Sequence, residues 1–119
     1  MIRIDFLGTG NAFTPSGRLH ALTLIDGKIL IDTPPTLITQ LRRKGLKTSE
    51  IEYLLFTHWH ADHTFGFPFF MLERKYISDP KREKDLQIYL RPGGKEKISN
   101  LCNIGFPGSL EDVEKMAHW

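Results

Sequence analysis

Residues 53–63 of this chain read YLLFTHWHADH, and the interpretation of the remaining sequence depends on this stretch. Its first four residues form a continuous apolar run, which is typical of a β-strand that is buried on both faces. The polar stretch that follows contains three of the chain's five histidines together with one aspartate. Four potential metal ligands within six residues, placed directly after a buried strand, predict a metal site at the end of that strand.

The spacing of His58, His60, Asp62 and His63 predicts how these residues share metal ions. In an extended chain, side chains two residues apart point to the same side, so His58 and His60 can converge on one ion. Asp62 and His63 lie past the turn into a helix, where they are better placed for a second ion or a bound water. Because imidazole nitrogen and carboxylate oxygen suit Zn²⁺ and also Fe or Mn, we expect a centre with one or two such ions.

The residues before this motif follow strand patterns and then a helix pattern. Apolar and charged residues alternate over 2–6, which predicts a strand with one face toward a core. Apolar runs at 22–25 and 29–31 flank Asp26-Gly27, a dipeptide typical of tight hairpin turns, so these two strands are predicted to pair antiparallel. Thr33, followed by two prolines, predicts the capped start of a helix that ends at Gly45.

The residues after the motif continue this mixture of helices and strands. The patterns predict a helix at 65–76, a strand at 86–90, a helix at 95–101 and a last helix from Ser109 onward. Because strands and helices are interspersed over the whole length, the sequence predicts one α/β or α+β folding unit spanning residues 1–119.

Composition limits the classes of protein to which the chain can belong. The 119 residues, of which 40% are hydrophobic and 25% charged, are typical of a single soluble globular domain. The longest uncharged apolar stretch, residues 64–72, is too short to cross a bilayer, so no membrane partner is expected. The N-terminus has no secretory signal pattern, which predicts a cytoplasmic location. A net charge of +2 gives no general support for nucleic-acid binding.

The stretch THWHADH, preceded by an apolar strand and followed by Gly66, resembles the HxHxDH motif of the metallo-β-lactamase superfamily. Two further segments, FLGTGN at 6–11 and Leu30-Ile31-Asp32, resemble the branch that contains ribonuclease Z and related cyclic phosphodiesterases. The resemblance implies an αββα sandwich of two mixed sheets with flanking helices. At 119 residues, the chain corresponds to the N-terminal half of that sandwich and lacks the C-terminal half.

The resemblance also implies a role for each residue of the motif. His58 and His60 would bind the first metal ion, and Asp62 and His63 the second, with Zn²⁺ as the expected metal. Asp62 would in addition orient or deprotonate the attacking water. Asp32 would fix the tautomer of a metal-binding histidine by accepting a hydrogen bond from its other ring nitrogen, the one that does not bind the metal. An alternative role for Asp32 is to cap a turn or a helix.

These roles imply a metal-dependent hydrolase that acts on phosphodiester bonds, with RNA or another phosphodiester as substrate. Two protein ligands per ion are fewer than the three that catalytic zinc sites usually have. We therefore consider three alternatives: a piece of a longer hydrolase, a half-fold that self-associates as a dimer or other homo-oligomer, and a catalytically silent metal-binding or association module that binds a partner chain.

Overall fold

The computed structural model describes all 119 residues and contains one mixed sheet of five strands. The strands follow one another across the sheet in chain order, so that each pairs with its sequence neighbour. The first three pair antiparallel, whereas the third, fourth and fifth are mutually parallel. The sheet confirms the α/β class. The strands are β1 (Ile4–Gly8), β2 (Leu22–Ile25), β3 (Ile29–Ile31), β4 (Tyr53–Leu55) and β5 (Gln87–Tyr89).

Four α-helices accompany the sheet, and none is long and apolar enough to cross a membrane. They are α1 (Leu37–Arg43), α2 (Ala61–Thr64), α3 (Phe67–Glu73) and α4 (Gly94–Gly105). A π-helical turn at Arg74–Ser78 continues α3, and short 3₁₀ turns lie at Pro15–Gly17, Thr48–Glu50 and Val113–Lys115.

The hairpin between β2 and β3 has the predicted turn. Asp26 and Gly27 both have positive φ angles, of 52° and 69°, which the tight turn requires of adjacent residues. Lys28 completes a three-residue loop, so that Ile25 pairs with Ile29, and the two strands are antiparallel as expected.

The helices cover only one face of the sheet, and the core lies between that face and the helices. Side chains from every second position of the strands are buried there, and those of α3 pack on them from the other side. The strand residues of this covered face are Leu22, Leu24, Leu30, Leu54 and Ile88, and the α3 residues are Phe67, Phe70 and Met71.

The opposite side of the sheet, which we call the open face, carries two rows of residues paired across the strands. One row is Phe6, Thr23, Ile31, Leu55 and Tyr89, and the other is Ile4, Ile25, Ile29, Tyr53 and Gln87. Phe6 is 71% exposed and Tyr53 is 39% exposed. The prediction that residues 53–56 are buried on both faces is therefore wrong, because no layer of this chain covers the second face.

Three helix predictions are also wrong in their bounds. Thr33 does not cap α1, which begins four residues later. The Thr33 hydroxyl instead donates to the carbonyl oxygen of Thr64, 3.3 Å away. The helix predicted at 65–76 corresponds to α3 and the π-helical turn after it, and it begins at Phe67. The separate helix α2 precedes it, and the two are divided at Gly66, where a Cβ atom would lie 2.0 Å from the carbonyl oxygen of Pro34. The last predicted helix is reduced to the 3₁₀ turn at Val113–Lys115.

Candidate metal centre

The histidine motif lies at the sheet edge where two parallel strands end. Asp32 directly follows β3, and Thr57 lies two residues after the end of β4. Because β3 and β4 are parallel, their carboxyl ends meet at the same edge. The backbone N–H of Asp32 donates to the carbonyl oxygen of Leu55 at 2.7 Å. Its φ of 71° lies in the left-handed region, which aspartate tolerates better than most residues.

The chain turns from extended backbone into helix within the motif, as its spacing predicted. His60 has extended φ and ψ angles and directly precedes α2. Its carbonyl oxygen accepts hydrogen bonds from the His63 backbone N–H at 2.9 Å and from the Thr64 hydroxyl at 3.1 Å. These bonds fix the start of α2, so Asp62 and His63 project from a helical turn next to the loop that carries His58.

The four predicted ligand side chains come together at this edge. The ring centroid of His58 lies 4.0 Å from that of His63 and 4.9 Å from that of His60. His63 Nε2 lies 3.3 Å from Asp62 Oδ2. Two ligands of one tetrahedral zinc ion, each bonded at about 2.0 Å, are separated by about 3.3 Å, so this pair fits a shared ion.

The donors at this site do not combine into a larger ligand set. No group of three or more His, Cys, Asp and Glu side chains in the chain is placed to hold one metal ion. The imidazoles and the Asp62 carboxylate are nevertheless of the chemical type that Zn²⁺, Fe and Mn bind. The residues present therefore fit a divalent metal by their chemistry.

Asp32 contacts the His63 ring on the side that faces the protein interior. Its carboxylate is 4% exposed, and its Oδ2 atom lies 2.8 Å from His63 Nδ1. A hydrogen bond from His63 Nδ1–H to this carboxylate leaves Nε2 free on the side of Asp62. Asp32 Oδ1 also accepts the backbone N–H of Thr57 at 2.8 Å, so the same carboxylate caps the turn that follows β4. Asp32 thus contacts His63 and caps the turn after β4 with one carboxylate, while its role behind a metal ligand stays a prediction.

Two further residues shape the site. Thr57 was not predicted from sequence, although its hydroxyl lies 2.6 Å from Asp32 Oδ2 and 3.0 Å from His58 Nδ1. The available signal was a hydroxyl residue directly before the first histidine. Trp59 packs on Phe56 with ring centroids 5.9 Å apart, and its ring lies where a Cβ atom of Gly94 would be. Trp59 therefore anchors the motif loop to the start of α4.

Known proteins resemble this chain in both sequence and fold. The ribonuclease Z of Pyrococcus abyssi is 32% identical over 116 residues, which cover 95% of this chain but 37% of that protein. The chain thus spans little more than a third of the length of such curated relatives.

Two solved structures share the fold. Human tRNase Z, short form, covers all of this chain with a TM-score of 0.73 and 24% identity, and 44% of its own chain is matched. The metallo-β-lactamase fold protein YhfI from Bacillus subtilis covers 83% of this chain, with a TM-score of 0.65, 14% identity and 42% of its own chain matched. These likenesses confirm the predicted metallo-β-lactamase fold.

A protein-family model described as "Anti-Pycsar protein Apyc1" matches residues 2–107. That range contains all five strands, all four α-helices, Asp32, Thr57 and the complete histidine motif. Because the match extends over most of the chain and includes every element that builds the site, this chain belongs to the Anti-Pycsar protein Apyc1 family.

Proposed function

We propose that this chain supplies one half of a metal-dependent hydrolase site that cleaves phosphodiester bonds. The observation that carries the proposal is the cluster at the ends of β3 and β4. There His63 lies between Asp32 at 2.8 Å and Asp62 at 3.3 Å, with the His58 ring 4.0 Å away. We assign His58 and His60 to one ion and Asp62 and His63 to a second, with Zn²⁺ as the expected metal and Mn or Fe as substitutes.

The chemistry assigned to the site divides between the metal and the protein. When bound, divalent ions lower the pKa of water and neutralise charge that develops on a phosphoryl oxygen. We assign to Asp62 the orientation of the attacking water and the acceptance of its proton, since its carboxylate oxygen lies 3.3 Å from His63 Nε2. Asp32 keeps His63 in one tautomer and one orientation, because the hydrogen bond at 2.8 Å holds the ring nitrogen that faces the protein.

The relatives support a phosphodiester as the substrate. The curated relative from Pyrococcus abyssi is named ribonuclease Z, and the human structure is a tRNase Z, so RNA is one substrate class that the proposal includes. A smaller cyclic phosphodiester is the other class, because the sequence resembles both groups of enzyme. Cleavage of one class and not the other decides between them.

We further propose that another polypeptide layer completes the site. Two donors per ion are one fewer than catalytic zinc usually has, and the open face exposes large apolar side chains such as Phe6 and Tyr89. The remainder of a longer hydrolase, a second copy of this chain or a partner chain that covers this face would also bring further ligands to the edge where Asp62 lies. A symmetric dimer is the commonest way to cover such a face.

The experiment measures hydrolysis of bis(p-nitrophenyl) phosphate by the chain loaded with Zn²⁺ or Mn²⁺. We expect turnover that falls at least about 100-fold in Asp62→Ala, because the group that handles the proton is lost. Asp85→Ala is the matched control, since the Asp85 side chain is 92% exposed and lies outside the site. Its turnover should equal that of the unmodified chain.

A catalytically silent association module is the second candidate, favoured by the open face and by the lack of any group of three donors placed to hold one metal ion. It predicts an assembly without turnover whose mass is unchanged when His58 and His60 are both replaced by alanine. Size-exclusion chromatography with simultaneous mass and metal detection distinguishes the two functions. Turnover lost in Asp62→Ala supports the enzyme, whereas an inactive, metal-replete assembly contradicts it.

A further inference from the structure

The Asp32 carboxylate accepts hydrogen bonds from Thr57 as well as from His63. Its Oδ1 atom accepts the Thr57 backbone N–H at 2.8 Å, and its Oδ2 atom accepts the Thr57 hydroxyl at 2.6 Å. Because Asp32 is only 4% exposed, its charge depends on such donors for stabilisation. Thr57 therefore supplies two of the three hydrogen bonds that compensate this buried charge.

The hydrogen atoms of this network can be counted. A threonine hydroxyl has one hydrogen, and the short contact with a carboxylate, which only accepts, assigns that hydrogen to Asp32. Thr57 Oγ1 also lies 3.0 Å from His58 Nδ1 and can only accept there. His58 Nδ1 must then carry a hydrogen, and in the neutral imidazole the lone pair lies on Nε2.

We propose that Thr57 is a positioning residue. Its hydroxyl donates to Asp32, accepts a hydrogen bond from His58 Nδ1–H and so holds this imidazole in its Nδ1–H tautomer. One buried carboxylate then orders two histidines. His63 is bonded to Asp32 directly, and His58 is bonded to it through the Thr57 hydroxyl. The two rings, 4.0 Å apart, both keep Nε2 available for a metal ion. The inference rests on the proposed function only in assuming that the Nε2 atoms bind metal.

The tautomers can be measured without metal or substrate. Two-bond ¹H–¹⁵N spectra of the metal-free chain at alkaline pH, where imidazoles are neutral, distinguish Nδ1–H from Nε2–H for each histidine. We expect the Nδ1–H form for both His58 and His63 in the unmodified chain. Finding His58 as Nε2–H in that chain overturns the proposal without any variant.

Thr57→Val removes the hydroxyl but keeps the side-chain shape and the backbone N–H that donates to Asp32. We expect His58 to lose its preference for Nδ1–H while His63, still bonded to Asp32, keeps it. Thr57→Ser, which retains a hydroxyl, should restore the His58 signature. The unchanged His63 signal also shows that the variant is folded. An identical His58 tautomer in Thr57→Val and the unmodified chain contradicts the proposal.

Zn²⁺ affinity provides the second readout, measured by competition with a chromophoric chelator. Loss of a group that orients a metal ligand typically weakens binding about 10- to 100-fold, so we expect a change of that size in Thr57→Val and little change in Thr57→Ser. Equal affinity in all three chains overturns the role of Thr57 in positioning a ligand. If no chain binds Zn²⁺, the proposed function fails, while the tautomers still decide whether Thr57 orders His58.

Discussion

The two faces of the sheet are built from the same short strands but have opposite surroundings. On the covered face, Leu24, Leu30 and Leu54 are fully buried beneath the helices. On the open face, Phe6 is 71% exposed and Tyr89 is 55% exposed, although both have large, mostly apolar side chains. Alternating side chains of one strand therefore have different roles. One set stabilises the fold, and the other is available for contact with another protein surface.

The largest expected effect concerns two adjacent leucines of β4 that point to opposite faces. Leu54→Ala should lower the free energy of unfolding by about 2–5 kcal/mol, because it leaves a cavity in a packed core. Leu55→Ala makes the same chemical change on the open face and should cost about 1 kcal/mol or less. Urea denaturation of both variants measures the difference. Equal losses would mean that the open face is also packed in solution.

An intermediate effect is expected for association through the open face. Phe6→Lys should weaken self-association at least about 10-fold, equivalent to about 1.4 kcal/mol, because it places a charge in the apolar row. Phe13→Lys is the matched control, since Phe13 is 88% exposed and lies outside the sheet. Light scattering after size exclusion gives the mass of each variant. The same mass for Phe6→Lys and the unmodified chain, across dilution, would argue against self-association through this face.

The effect that is smallest near neutral pH concerns the ionisation of a buried thiol on the covered side. Burial raises the pKa of the Cys102 thiol from 9.0 to about 12. In the unfolded chain the thiol ionises at lower pH, so the folded state holds its proton more tightly. Stability from this group is complete below about pH 9 and is lost as the pH rises toward about 12. Unfolding curves over this range should show a smaller decline for Cys102→Ala than for the unmodified chain.

Local residue patterns predicted some elements well and others poorly. The hairpin at Asp26-Gly27 was predictable because its turn depends on the φ angles of two adjacent residues. The helix expected at Thr33 was not, because that side chain is held by the distant carbonyl of Thr64. The break at Gly66 likewise arises from a close approach to Pro34, which no local pattern reveals.

The candidate site shows the same division. His58, His60, Asp62 and His63 were recognisable because ligands for a metal ion have a characteristic type and spacing. Their assignment as metal ligands stays a prediction. Thr57 was not recognisable, since its importance comes from hydrogen bonds to Asp32, 25 residues earlier in the chain.

Sequence patterns were thus sufficient for the α/β class, the family resemblance and the position of the motif at a strand end. All three depend on short-range periodicity or on the identity of neighbouring residues. Tertiary structure was needed to show which sheet face is covered and that one buried carboxylate, Asp32, contacts both His63 and Thr57. Both features arise from contacts between segments that are far apart in sequence. Strand alternation alone predicts two faces for β4 but does not tell which of them the helices cover.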